Sequence, residues 1–138
     1  KHISAVHPIV GSVKRPVSNN ALKQYYAQIW MGSNYQPLNF LFDSGSVITW
    51  APGVDCPASQ CPKKKFDNET STTLVNTTIT AIIEYISVVN VGGIYSTDYF
   101  CVDKGETCTA KDFMWLHVAN ATGLSAIPSD GILGISPL

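Results

Sequence analysis

The feature that most restricts the fold is a spacing. Runs of β-branched and aromatic residues follow one another at short intervals, broken by Gly, Pro and Asn, and no stretch of about ten residues carries a helical stripe. Tyr25 to Met31 reads as a strand, and Gly32 to Pro37 as a turn. Leu38 to Phe42 reads as a second strand running into Asp43-Ser44-Gly45-Ser46, and Val47 to Trp50 as a third. Further strands are expected over Thr78 to Ser87, Val88 to Thr97, Tyr99 to Val102 and Phe113 to Val118, with a turn near Asn90 to Gly93. Residues 1–24, holding Pro8, Gly11 and Pro16, predict an irregular or edge segment. The pattern implies an all-β sandwich or barrel.

Composition narrows the function. The 138 residues are 45% hydrophobic and 14% charged, with a net charge of −1. That is one domain by length and too apolar for a disordered chain. No basic face points to nucleic acid, and Lys63-Lys64-Lys65 reads as a solvated loop. No stretch reaches the roughly 18 apolar residues of a membrane span. The opening Lys1-His2-Ile3, with Pro8 following, is no signal peptide.

Cys56, Cys61, Cys101 and Cys108 allow three pairings. Local pairing, Cys56–Cys61 and Cys101–Cys108, is the expectation. A Lys104-Gly105 turn would bring the second pair across a hairpin. The alternative, a zinc site, lacks the usual C-x2-C knuckles and any suitably spaced histidine. Sequons at Asn68, Asn76 and Asn120 agree with the secretory route.

The candidate chemistry sits at Asp43. An acid directly after the apolar Phe40-Leu41-Phe42 is costly to bury unless hydrogen bonds support it. Gly45 permits a tight turn that aims backbone N–H groups at a carboxylate, and Ser44 and Ser46 add hydroxyls. An ordinary Asx-turn ending a strand would use the same residues.

The wider pattern resembles the pepsin family of aspartic proteases. Phe42-Asp43-Ser44-Gly45-Ser46 is similar to its Asp-Thr/Ser-Gly-Ser, and Thr49-Trp50-Ala51-Pro52 to its Leu-Trp-Val-Pro. Cys56 to Cys61 has the gap of its first disulfide, and Phe66, Ser71 and Thr72 stand where it has a Phe and a Ser-Ser-Thr. Asp130-Gly131-Ile132-Leu133-Gly134-Ile135 is close to its Asp-Gly-Ile-Leu-Gly-Leu.

The resemblance implies a fold, a pepsin-like half-barrel: the N-terminal lobe, residues 25–138, of a two-lobed enzyme, with 1–24 as an extension. It implies that Asp43 is one of two aspartates activating a water, supported by Ser44, Gly45 and Ser46. Tyr85 would be the tyrosine of a flap over substrate, with Trp50 as its hydrogen-bond partner. Ile132-Leu133-Gly134 would brace the active-site loop. No metal or cofactor is implied. The partners are a peptide substrate and a second lobe, and the compartment is secreted or lysosome- or vacuole-like.

Departures are visible. Ile86 to Val91 stands where the family has a glycine-rich run, Thr49 replaces an apolar residue, and the Cys101–Cys108 segment is absent from pepsin. The chain carries one Asp-Ser/Thr-Gly and reaches Leu138 before a complete lobe would end. Alone it should be inert. The rival readings are a homodimer contributing one Asp per copy, and an inactive lobe serving as a binding or structural subunit.

Overall fold

The computed structural model describes residues 18–19, 25–85 and 89–136. Among these described residues, nine strands lie in one sheet: β1 (Ser18–Asn19), β2 (Tyr25–Met31), β3 (Gln36–Asp43), β4 (Trp50–Pro52), β5 (Val75–Glu84), β6 (Asn90–Asp98), β7 (Phe100–Cys101), β8 (Phe113–Thr122) and β9 (Gly131–Gly134). One 3-10 turn, Leu124–Ala126, precedes β9. The sheet order is β1-β2-β3-β9-β4-β8-β6-β5, with β7 also on β2. The all-β expectation holds: among the described residues there is no α-helix. None of them forms a helix long and apolar enough to cross a membrane.

The period-2 alternation of strands puts a core on each face. Trp50, Leu116, Val118 and Ile132 pack on one side with Val91 and Tyr95. Their chain neighbours Ala51, Trp115 and Leu133 pack on the other with Phe40, Phe66, Phe100 and Phe113. The second core is an aromatic chain, with ring centroids 4.8 Å apart for Phe100–Phe113 and 5.3 Å for Phe66–Trp115. Tilted and edge-on pairs of this kind add about 0.5–1.5 kcal/mol each beyond their buried area.

Several strand expectations move. β3 begins at Gln36, inside the expected turn, and Pro37 pairs with Trp30. Proline is tolerated there because β9 covers β3 only from Phe40 onward. The expected strand at Val47 to Trp50 starts at Trp50 and runs to Pro52. Residues 46–49 instead form a loop, tied by Leu116 N–H donating to the Thr49 carbonyl at 2.8 Å. Asn90 to Gly93 is strand, not turn: Gly92 and Gly93 flank a register shift between β6 and β8. A Cβ on Gly93 would stand 1.9 Å from the His117 carbonyl oxygen, so this glycine serves close strand approach. The hairpin closes earlier, Tyr85 N–H donating to the Val89 carbonyl at 2.9 Å.

The lysine run also differs from a merely solvated loop. Lys63 Nζ donates to the Ile127 carbonyl, and Lys65 Nζ to the Cys56 carbonyl at 2.9 Å. Of residues 1–24, β1 lies at the sheet's end beyond β2, and the remainder falls outside the described residues.

Candidate active site

Asp43 is the last residue of β3, half-buried, where the strand gives way to a turn. Gly45 N–H donates to Asp43 Oδ1 at 3.0 Å, and Ser46 N–H to the Asp43 carbonyl at 3.3 Å. Ser44 and Gly45 are exposed in this turn. Ser46 is buried and its hydroxyl donates to the Ile48 carbonyl at 3.2 Å.

The loop is held from behind by β9, which runs parallel to β3 with Gly134 opposite Asp43. Ile135 N–H donates to the Asp43 carbonyl at 3.1 Å, and Ser136 N–H to the Ser46 carbonyl at 3.0 Å. A Cβ on Gly134 would stand 2.8 Å from Ser46 O and from both Ile48 N and O. Only glycine lets the loop cross the strand at this distance. Gly134 N–H donates to Thr49 Oγ1 at 3.1 Å. The polar residue at 49 thus supplies a buried acceptor inside the brace. The signal in the sequence was the hydroxyl itself, at a place where the resembled family is apolar.

Asp130, just before β9, is buried and accepts N–H donors from Asn39 at 2.7 Å and Lys64 at 3.3 Å. It anchors β9 to β3 without facing the cleft.

Across the loop stands the end of β5. Trp50, fully buried, donates its indole N–H to the Tyr85 hydroxyl at 2.8 Å. Burial pushes the Tyr85 pKa up, the Trp50 and Ser46 side chains draw it down, and the Asp43 charge raises it. The net rise keeps this phenol protonated. Asp43, Gly45, Ser46, Val47, Ile48, Ile83, Glu84 and Tyr85 line one open cleft of about 370 Å³. The structure thus brings Asp43, Gly45, Ser46 and Tyr85 to one cleft, with Trp50 hydrogen-bonded to Tyr85. Val47, Ile48, Ile83 and Glu84 were not singled out from the sequence, because their part depends on how the β5 hairpin lies over the loop.

The remaining candidates lie elsewhere. Cys56–Cys61 and Cys101–Cys108 are disulfides, and no described cysteine is free. Asn76 and Asn120 are exposed, while Asn68 is half-buried.

A carboxylate held at a strand end, beside a protonated phenol and open to a cleft, can accept a proton from a water placed between them. Comparison with known proteins identifies the family. The family model described as eukaryotic aspartyl protease matches residues 24–137. The chain is 29% identical to pepsin A of Gallus gallus, over 98% of this chain and 40% of that protein. It is 28% identical to cathepsin E of Aquarana catesbeiana, over 91% of this chain and 31% of the relative. With plasmepsin IV of Plasmodium falciparum it shares 31% identity, over 80% of this chain and 25% of the relative. The chain therefore spans well under half the length of these relatives. The single sheet, with β9 threaded between β3 and β4, is that of a pepsin-like lobe.

Proposed function

This chain belongs to the eukaryotic aspartyl protease family, and from that membership we propose that it is the N-terminal lobe of a two-lobed aspartic endopeptidase. In this reading residues 25–138 form the catalytic lobe and 1–24 its extension. Asp43 is one of two catalytic carboxylates, the other coming from a different segment or chain. The observation that carries the reading is the Asp43 loop, braced by β9 through Gly134 and facing Tyr85 across the cleft.

Aspartic proteases are themselves the standing example of two carboxylates sharing one proton, because like charges so close cannot both ionise. The ionised carboxylate takes a proton from a bound water as its oxygen attacks the scissile carbonyl carbon. The protonated carboxyl gives its proton to the carbonyl oxygen. The tetrahedral intermediate then collapses as a proton passes to the leaving amine, with no covalent enzyme intermediate. Ser44, Gly45 and Ser46 hold the loop, and Tyr85 closes over substrate as a flap residue fixed by Trp50. No cofactor takes part. The two disulfides and the sequons Asn68, Asn76 and Asn120 support a secreted or lysosome- or vacuole-like location.

The test begins with the native, non-reduced protein. Its intact mass and the sequence of the polypeptide beyond this lobe should reveal a second Asp-Ser/Thr-Gly. The full protein should then cleave peptides at acidic pH, and Asp43→Asn should lower kcat by about 10²–10⁴-fold or more. A partner segment lacking the second aspartate, with no cleavage, overturns the enzyme reading in favour of a binding subunit. A mass of two identical copies with activity transfers the site to a homodimer.

A further inference from the structure

At the opposite end of β3 from Asp43, a second cavity of about 420 Å³ opens between the β2–β3 turn and the Cys101–Cys108 loop. Ser33 and Tyr35 line it from the turn, Tyr99 from beside β7, and Gly105, Glu106 and Cys108 from the loop. It shares no lining residue with the cleft at Asp43. The eight residues of β3 lie between Tyr35 and the cleft, about 25 Å of extended chain.

Both sides of this cavity are held in place. Tyr35 has φ 53, a left-handed conformation unusual for a residue with a bulky side chain. Its N–H donates to the Gly32 carbonyl at 3.2 Å. Opposite, Gly105 has φ +93, and a Cβ there would come within 3.1 Å of the Tyr35 ring. Glycine lets ring and loop tip meet. Asp103 Oδ1 accepts the N–H groups of Glu106 at 2.8 Å and Thr107 at 2.7 Å, which fixes the peptide carrying Glu106. The disulfide closes the base of the loop.

The lining is chemically one-sided. Its one charged side chain is the Glu106 carboxylate, and its aromatic walls are two phenols. Aromatic ring faces carry negative charge density and attract cations, and the Glu106 carboxylate among the same lining residues adds to the attraction. We propose that this cavity binds an organic cation, a guanidinium or alkylammonium head of the kind that arginine or lysine side chains present. The inference is independent of peptide hydrolysis, so its test reads binding.

Calorimetric titration of the full-length protein with N-acetyl-arginine amide should show saturable binding, and the uncharged N-acetyl-norleucine amide should show none. Glu106→Gln, at an exposed position, should weaken the arginine amide about two- to fivefold, the scale of one exposed ion pair, and leave any peptide cleavage unchanged. Tyr99→Leu should weaken it similarly. Binding in the Asp43 cleft would not respond to Glu106, so the variants separate the two places. Tighter binding of a Gly-Gly-Arg-Gly-Gly peptide than of the amide supports a polypeptide as the source, and equal binding supports a free cation. Equal binding of norleucine amide, indifference to both variants, or no binding at millimolar concentration overturns the site.

Discussion

Thr49 and Gly134 carry the Asp43 loop between them. The Thr49 hydroxyl is fully buried and receives the Gly134 N–H. Thr49→Val keeps the shape but strands that donor, and should cost about 1–3 kcal/mol in urea unfolding. Gly134→Ala forces a methyl against three backbone atoms of the loop. It should destabilise by roughly 1–3 kcal/mol through overpacking and displace Asp43 enough to lower activity further than stability explains. An alanine variant with unchanged stability and turnover would show that the loop does not rest on β9. The Trp50–Tyr85 hydrogen bond is tested by a double-mutant cycle. Trp50→Phe, Tyr85→Phe and the double variant should show coupling of about 0.5–1.5 kcal/mol, and additivity would mean that the contact contributes nothing. At this scale the Asp43 turn was legible because its chemistry is local: strand, acid, hydroxyl and glycine are consecutive. The Thr49–Gly134 pair was not, because its partners are 85 residues apart and only topology joins them.

His117 shows what an element does to a residue. It sits on β8, buried against Trp115 and Phe66, with Nδ1 lacking any hydrogen-bond partner. Burial lowers its pKa, and the Asp55 charge offsets part of that. In the unfolded chain the imidazole takes up a proton below about pH 6.5, while the folded ring stays neutral to lower pH. Stability is therefore full above that value and falls as pH drops from it toward the lowered folded pKa. Denaturation midpoints should decline over this window in the native protein and decline less in His117→Phe; identical slopes would remove His117 from the acid response. The disulfides divide by burial. Cys56 and Cys61 are buried in the first core, while Cys108 is only half-buried. Each closes a short loop worth about 2 kcal/mol. Mild reductant without denaturant should expose Cys101 and Cys108 to alkylation and spare Cys56 and Cys61; labelling in the reverse order would contradict the packing. Strand identity was legible from β-branched and aromatic runs, but strand ends were not. Gly92 and Gly93 carry turn signals locally, and the close passage of β8 overrides them.

For the whole molecule, the question is whether a second carboxylate works with Asp43. On the proposed reading Asp43 is one of the two acids, and this chain spans 40% of pepsin A's length. The parallel passage of β9 beside β3, which braces the loop from behind, joins segments about 90 positions apart, Phe40 with Gly131. No local pattern could announce it: the four-residue strand is missing from the strands read off the sequence, and only the family resemblance of Ile132-Leu133-Gly134 pointed to a brace. One carboxylate alone gives a base with no matching acid, and its rate should rise with pH to a plateau. Two that share a proton act only while one is ionised and the other protonated. Below both apparent pKa values the base is lost, above both the acid is lost, and these values belong to the pair rather than to Asp43. The expected kcat/KM profile of the full protein is thus a bell lying wholly on the acid side of neutral. Asp43→Asn should abolish the bell rather than shift it. A profile that climbs without a descending limb through neutral pH would show a single base at work and overturn the two-lobed mechanism.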